Sequence, residues 1–526
     1  MRRSALTLAA EKLPSLSFGG RVGFQPHQES QLNEKGFSPG SFVRTIGLSA
    51  APTAALLAVL ALTACHPVGP NYQAPAMPAP PPPAFSDDGH NGNWAAAAPA
   101  DTTLRPDWWT IYHDDELNTL EQRCATANQS IAAALHAYEQ AHDLVRENRA
   151  NLYPNVSINA GATRNKISDN KPLHPIGTPT TYWDFLIPVN ISWEPDFWGG
   201  IRRQIESSAT NAQASAADLA NIRLSLQGML AITLFQLRGI DLQAQLLRST
   251  LNSYTDALNL TQVRQKGGVA TDSDVEQART QLEQTRAQLI DLGVQRAQYE
   301  HAIAVLIGES ATNFHIAEKP LAGDPPSIPT GIPSQLLQRR PDIAGAERRV
   351  ASANALIGVA KAAYYPNITL GVGGGVESDL VSQVLAAPST TWFAGPSANE
   401  TIYDAGKRRA QLDFAYAQRD QATAVYREDV LNAFRDVEDQ LAALRVLEQE
   451  ATVTARAVAS AKHSTELSTM RYKRGLATYL EVLTNQTIEL ANERTAASLV
   501  TQRILASAQL QIALGGGWNA TQLPPN

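Results

Sequence analysis

Cysteine is nearly absent, with only Cys65 and Cys124 in 526 residues. That excludes a disulfide framework and any multi-cysteine metal site. The ten histidines are scattered. His113 and His142 have no partner at ligand spacing and read as packed or solvated helix residues rather than as metal ligands. No Ser/His/Asp set or close carboxylate pair stands out, so neither catalysis nor a cofactor is expected. An excess of positive charge is missing too. Residues 1–64 hold six of the 43 Lys and Arg and three of the 50 Asp and Glu, which leaves −10 from Cys65 onward. Such a balance disfavours nucleic acid. Gly371-Val-Gly-Gly-Gly375 lacks the following Lys-Ser/Thr and the helix start of a phosphate loop, and glycines on one strand face more simply relieve crowding.

The apolar run Ala50–Ala64 is too short to span a membrane as a helix. It follows Arg44 and ends Leu62-Thr63-Ala64-Cys65, which assembles the parts of a secretory signal. Leu-Thr-Ala-Cys resembles a bacterial lipobox, and that resemblance makes Cys65 the lipidated first residue of the mature chain. The bland alternative is a short apolar segment with a chance cysteine. Residues 1–64 are thus read as a signal region. Residues 1–42 lie upstream of a normal basic start, with Val43 as the expected initiator. Residues 65–104, with Pro80 to Pro83, form a proline-rich tether that builds no core of its own.

Beyond the tether the chain is written twice. Tyr472-Lys-Arg-Gly475-Leu-Ala-Thr478-Tyr-Leu-Glu481 has an echo in Gln265-Lys-Gly-Gly268-Val-Ala-Thr271-Asp-Ser-Asp274. Gly268 to Gly475 and Thr271 to Thr478 are the same step along the chain. Each stretch predicts a glycine helix stop followed by a capping box, stronger at Thr478/Glu481 than at Thr271/Asp274. Tyr153-Pro-Asn155 returns as Tyr365-Pro-Asn367. The repeats are placed at 105–318 and 335–517, joined by a linker at 319–334 and followed by a tail at 518–526.

Within a repeat the period changes. Ile131, Leu135, Tyr138, His142 and Val145 recur at three or four residues, as on a helix. Val156 to Thr163 alternates, and so does Trp183 to Glu194, whose Trp183, Phe185, Ile187, Val189, Ile191 and Trp193 share a face. Eleven residues at about 3.3 Å each suffice to cross a membrane when tilted. Trp183 and Trp193 stand where interfacial girdles lie, and Trp392 of a fourth strand is placed with them. Pro188 is expected at an edge or bulge. From Ile201 onward Leu226, Leu230, Thr233, Leu237, Ile240, Ala244, Leu247 and Leu251 form a heptad seam. That helix is a rod. Four apolar-faced strands per chain cannot close a barrel, and an open edge is not tolerated in lipid, so the chain must associate through its sheet. Three copies would supply twelve strands, although sequence alone does not choose three over two or four.

Leu336-Leu-Gln-Arg-Arg-Pro-Asp-Ile343, Asn354-Ala-Leu-Ile-Gly358, Tyr364-Tyr-Pro366, Gly395-Pro-Ser397, Ile402-Tyr-Asp-Ala-Gly406 and Ala513-Leu-Gly-Gly-Gly-Trp518 complete the pattern. With the element order, they resemble the TolC-like outer-membrane efflux proteins, in their NodT-type lipoprotein branch. The resemblance implies a mainly α fold with a membrane β-barrel: a homotrimer whose twelve strands continue into a periplasmic tunnel of long antiparallel helices. It implies a passive exit duct for drugs or other small toxic compounds. A periplasmic adaptor would dock at the helical turns of Gly268, Thr271, Gly475 and Thr478, and an inner-membrane pump of the RND type or another type would supply energy. By the same resemblance Glu481 forms an acidic constriction, and Tyr472 and Asp274 belong to an inter-helix latch. Ala477 and Thr484 depart from that pattern, as does Asn399-Glu400-Thr401 in the fourth strand. A duct for type I protein secretion, a periplasmic adaptor and a secreted enzyme are the other readings.

Overall fold

The computed structural model describes residues 67–76, 107–168, 170, 179–326, 328 and 339–525, all within one compact unit, Val59–Asn526. Cys65, the signal region and most of the tether lie outside the described residues. The elements are α1 (Asp115–Ala127), α2 (Gln129–Ala150), β1 (Asn155–Ile158), β2 (Gly161–Lys166), β3 (Thr181–Trp193), α3 (Gly200–Lys266), α4 (Asp272–Leu306), α5 (Pro341–Ala362), β4 (Asn367–Ser378), β5 (Thr390–Asn399), α6 (Lys407–Lys473) and α7 (Tyr479–Ala513).

The duplication extends to the element boundaries. α3 and α6 each have 67 residues, α4 and α7 each 35, and α2 and α5 each 22. At about 1.5 Å per residue the longest helices reach roughly 100 Å. Local chemistry sets their ends. Asp196 accepts from the Ile201 and Arg202 N–H groups, and Asp404 accepts from those of Gly406 and Arg408. Each carboxylate also holds the arginine that follows, Arg202 or Arg408. Pro341 occupies the first turn of α5, where its missing N–H costs nothing.

The shorter helices meet end to end. Asn128, the N-cap of α2, donates Nδ2 to the carbonyl of Leu306, the last residue of α4, at 2.8 Å. Arg340, the N-cap of α5, donates Nη1 to the carbonyl of Ala513, the last residue of α7, at 3.2 Å. Gly308 and Gly515 hold φ values of 73° and 91° at these junctions. A Cβ on either would strike the Ala127 or Arg339 carbonyl oxygen. Each half therefore pairs one unbroken long helix with a composite of two shorter ones.

The heptad seam of α3 is buried at Leu230, Thr233, Leu237, Ile240, Ala244 and Leu247. Its Leu230 and Leu237 join Leu117, Leu120 and Ile303 in the larger core, its Ile240, Ala244 and Leu247 cluster separately with Leu282 and Leu292, and the second half builds a matching core from Ile343, Val350, Val437, Leu441 and Leu510. Each such side chain contributes about 1.5–3 kcal/mol by leaving water. Buried charges interrupt the core. Arg238 pairs with Asp114 and with Glu116 at 2.7 Å, while Lys319 reaches Asp114 at 3.4 Å, tying the segment after α4 to the rod. Glu121 is fully buried with neither carboxylate oxygen hydrogen-bonded, and burial pushes its carboxyl up to about 9.

One antiparallel sheet runs in the order β1-β3-β4-β5, with β2 also on β3. β1 and β2 keep a single register, from Asn155↔Ser192 to Lys166↔Thr181, and are one strand interrupted at Asn159–Ala160. The interruption lies opposite Pro188, which accepts from the Asn159 N–H but has no N–H to return. Pro188 thus sits in an interior strand of this sheet, not at an edge or bulge as its sequence context predicted. Gly375 makes this possible on the other side. A Cβ there would collide with the Ile187 carbonyl oxygen and lie 2.7 Å from Pro188 Cα. Gly373 leaves room for the Phe393 ring in the same way. β5 ends at Asn399, so Glu400 and Thr401 of the departing Asn399-Glu400-Thr401 stretch fall outside the strand, and Glu400 turns to pair with Arg408 at 2.8 Å.

Directly opposed residues share a face, so Val156, Ile158, Trp183, Phe185, Val189, Ile191, Trp193, Leu370, Val372 and Trp392 all lie on one side. Most are exposed, Trp392 to 78%. The other face carries Asn155, Ser157, Thr163, Asp184, Asn190, Glu377 and Ser397.

Candidate functional site

The two hairpin ends come together at the pole opposite the sheet. Both turns stop their first helix in the same way. Gly268 and Gly475 hold φ values of 74° and 77°, the Val269 N–H reaches the Arg264 carbonyl at 2.9 Å, and the Leu476 N–H reaches the Arg471 carbonyl at 2.8 Å. These are the six-to-one bonds of a left-handed glycine stop.

The helices that follow start differently. Asp274 N–H donates to Thr271 Oγ1 at 3.2 Å and Thr271 N–H donates to Asp274 Oδ2 at 2.9 Å, a complete capping box. Thr478 makes no side-chain cap. Glu481 instead accepts from Arg471 Nη1 at 2.6 Å. The box expected to be stronger is the one that is missing, because a charged donor on the preceding helix takes the carboxylate that would have closed it.

Arg264, the counterpart of Arg471 in the first repeat, turns toward the other hairpin. Its guanidinium lies 4.6 Å from the Tyr472 ring centroid and donates to the Lys473 carbonyl at 3.2 Å. Tyr472 donates its hydroxyl to Thr261 Oγ1 at 3.5 Å and meets Tyr479 edge-on at 5.7 Å. Both rings are buried, with Ala278 and Val482 beside them and Ala477 packed against the cluster. Burial above all, then the neighbouring Tyr472, pushes the Tyr479 hydroxyl up to about 12, so it stays protonated. Tyr472 is thereby bound to the first hairpin through Arg264 and Thr261, while Asp274 is held by its own cap. Among the described residues no hydrogen bond joins Tyr472 to Asp274. Thr484 returns its hydroxyl to the Leu480 carbonyl.

The turns are not predominantly acidic. Arg264, Lys266, Arg471, Lys473 and Arg474 flank them, against Asp272, Asp274 and Glu481. Behind the turns, α3, α6 and α7 leave a groove of about 910 Å³ lined by Asp256, Glu466 and Glu489, with Lys462 paired to Glu493 at 2.7 Å. Gln486 also lines it, and its buried Oε1 has no partner. Among the described residues no group of His, Cys, Asp and Glu could hold a metal ion, and no helix is long and apolar enough to cross a membrane.

Trp193 lies at the helical end of β3 and donates Nε1 to the Leu152 carbonyl at 2.9 Å. Trp183 lies at the far end beneath the Arg164 guanidinium. Their ten-residue separation is about 33 Å along the strand, or about 25 Å high once tilted by roughly 40°, the height of an outer-membrane apolar band. Trp392 is registered through Gly374 to Val189, between those ends.

A sheet with one exposed apolar face above two duplicated coiled-coil hairpins corresponds to known proteins. The family model for the outer membrane efflux protein matches residues 120–309 and 332–516. The chain belongs to that family. It is an outer-membrane component of an efflux system, and its helical rods form the periplasmic part. Family relatives match over nearly their whole length. The solvent efflux pump outer membrane protein SrpC of Pseudomonas putida is 29% identical over 472 residues, covering 89% of this chain and 98% of SrpC. The pyoverdine export outer membrane protein OpmQ of Pseudomonas putida is 30% identical over 433 residues, covering 81% and 92%. The solved structure of the outer-membrane channel OprN superposes with a TM-score of 0.79 at 27% identity, over 86% of this chain and all of OprN.

Sequence reasoning passed over Arg264, Arg471 and Tyr479. A signal for the two arginines was present, because they stand at the same spacing as Gly268 and Gly475.

Proposed function

We propose that three copies of this chain close a twelve-stranded outer-membrane barrel over a periplasmic helical tunnel, forming a passive exit duct for drugs or other small toxic compounds. The observation that carries this is the sheet itself. Its apolar face is exposed and both its edges, β1/β2 and β5, are unpaired within the chain. In lipid each unpaired backbone group costs several kcal/mol, and pairing β5 of one copy with β1/β2 of the next removes every edge. Exposed Val446, Val453 and Leu467 on α6 recur at heptad spacing and, with Ile290 and Val294 on α4, supply apolar stripes for the same contact below the sheet. The barrel's inner face is then the polar one.

The adaptor docks at the turns of Gly268, Thr271, Gly475 and Thr478, and an inner-membrane pump of the RND type or another type acts through it. Glu481, Asp274 and Tyr472 belong to the closing end, with Arg264 as the tie between hairpins. Relatives named for solvent efflux and pyoverdine export favour small cargo over protein secretion, and nothing in this role requires catalysis. Lipidation of Cys65 is part of the same reading, with the docking of residues 67–76 as its support. Pro67 packs on Gly199, the Val68 N–H donates to the Trp198 carbonyl at 3.0 Å, Arg203 donates to Asn71 Oδ1 at 2.9 Å and Asn354 to the Pro70 carbonyl at 3.0 Å.

The mass of the purified oligomer and its conductance in planar bilayers test the proposal. A threefold mass with a steady conductance is expected. A soluble monomer that conducts nothing refutes it.

A further inference from the structure

The sheet is polarised by charge at its outer end, the end remote from the helices. Arg164 and Lys166 are two residues apart on β2, so they lie on one face, and register sets them opposite Trp183 and Thr181. This is the apolar face. Asp184 and Glu377, the acids at that end of β3 and β4, lie on the other face. The Arg164 guanidinium sits 5.7 Å from the Trp183 ring centroid, and Trp183 stacks on Phe185 at 5.8 Å. Neither Arg164 nor Lys166 is ion-paired with any described residue. Two unneutralised cations above a stacked aromatic pair, with Ile187, Val189 and Ile191 running on below, match a ligand that is anionic at one end and hydrocarbon at the other.

We propose that Arg164 and Lys166, on the Trp183–Phe185 platform, bind the phosphorylated sugar headgroup of an outer-leaflet glycolipid, with its acyl chains lying along β3. This rests on the barrel reading, which turns the apolar face toward lipid. Guanidinium forks and phosphate oxygens pair geometrically, and a saccharide ring has an apolar face suited to an indole. The two cations lie within reach of the same headgroup, and near a membrane surface each adds to binding without the other.

Native mass spectrometry of the detergent-solubilised wild-type oligomer, titrated with bis-phosphorylated lipid A, tests this against the Arg164→Gln/Lys166→Gln double variant. Two surface cations correspond to about a thirtyfold loss of apparent affinity in the variant. Dephosphorylated lipid A is expected to bind wild type as weakly as intact lipid A binds the variant. Equal binding of intact lipid A by both proteins, or equal binding of both lipids by wild type, overturns the site. Conductance is recorded on the same preparations. If wild type conducts while lipid A binding is insensitive to charge, the lipid site fails and the barrel stands. If wild type fails to conduct, the barrel fails and the site with it.

Discussion

Arg264 is the side chain whose removal tests most directly how the two hairpin ends are held. It makes two bonds across the hairpins, the stack on Tyr472 at 4.6 Å and the bond to the Lys473 carbonyl at 3.2 Å. A cation over an aromatic ring at a partly exposed site contributes about 0.5–1 kcal/mol, and a hydrogen bond from a charged group about 1.5 kcal/mol net of its exchange with water. Arg264→Ala therefore weakens the tie by about 2 kcal/mol per chain, roughly thirtyfold in that chain's closed-to-open ratio. If three chains open together the effect approaches about 6 kcal/mol, enough to invert a closed resting state. Single-channel recordings in planar bilayers read this as a raised open probability. Arg264→Lys keeps the charge but loses the planar stack, so it should fall between. Unchanged open probability in Arg264→Ala, in a protein that still assembles and inserts, would show that this contact does not hold the end closed.

At the second turn, Arg471 offsets Glu481 at 2.6 Å. Arg471→Ala should raise cation preference, measured as a shift in reversal potential under a salt gradient, and Glu481→Ala should lower it together with block by multivalent cations. If neither moves, Glu481 has no electrostatic role in conduction. Glu121 binds its proton more tightly when folded, about 9 against an ordinary 4.5. The folded state therefore holds the extra proton between those values, and stability falls as pH rises across that window. The loss is of order 3 kcal/mol by pH 7. Glu121→Gln should flatten that slope in denaturation profiles between pH 5 and 9, and an unaltered slope would contradict the burial argument. Gly375→Val places side-chain atoms against the backbone of Ile187 and Pro188 and should abolish the heat-modifiable oligomer in outer-membrane fractions. Gly395→Ala, with open space around it, should not.

The gross architecture was legible because it is periodic. The spacing between Gly268 and Gly475 gave the duplication, and the helix boundaries obey it at both ends of α3, α4, α6 and α7. The seam of α3 was legible because it depends only on which residues repeat at heptad intervals. What failed depended on neighbours distant in sequence or on a partner strand. Thr478 and Glu481 satisfy the capping template, yet Arg471, ten residues away, captures the carboxylate. Pro188 looked confined to an edge because a central strand needs its N–H. It stays in the interior since only the bond toward Asn159 is lost and Gly375 makes room on the other side. Arg264 and Arg471 occupy equivalent places and make different contacts, a divergence that spacing does not reveal.

The end-to-end helix junctions carry a mechanical consequence. No peptide bond crosses from α4 to α2 or from α7 to α5, and the contact is a side-chain donor on a terminal carbonyl beside a glycine. Such a splice bears compression along its axis but resists torsion weakly. The 35-residue arms can therefore twist about α3 and α6 without unwinding a helical turn, while the 22-residue stubs above them stay fixed to the sheet. Each composite arm, about 85 Å long beside an unbroken α3 or α6, is in this way divided into a rigid mount and a steerable end.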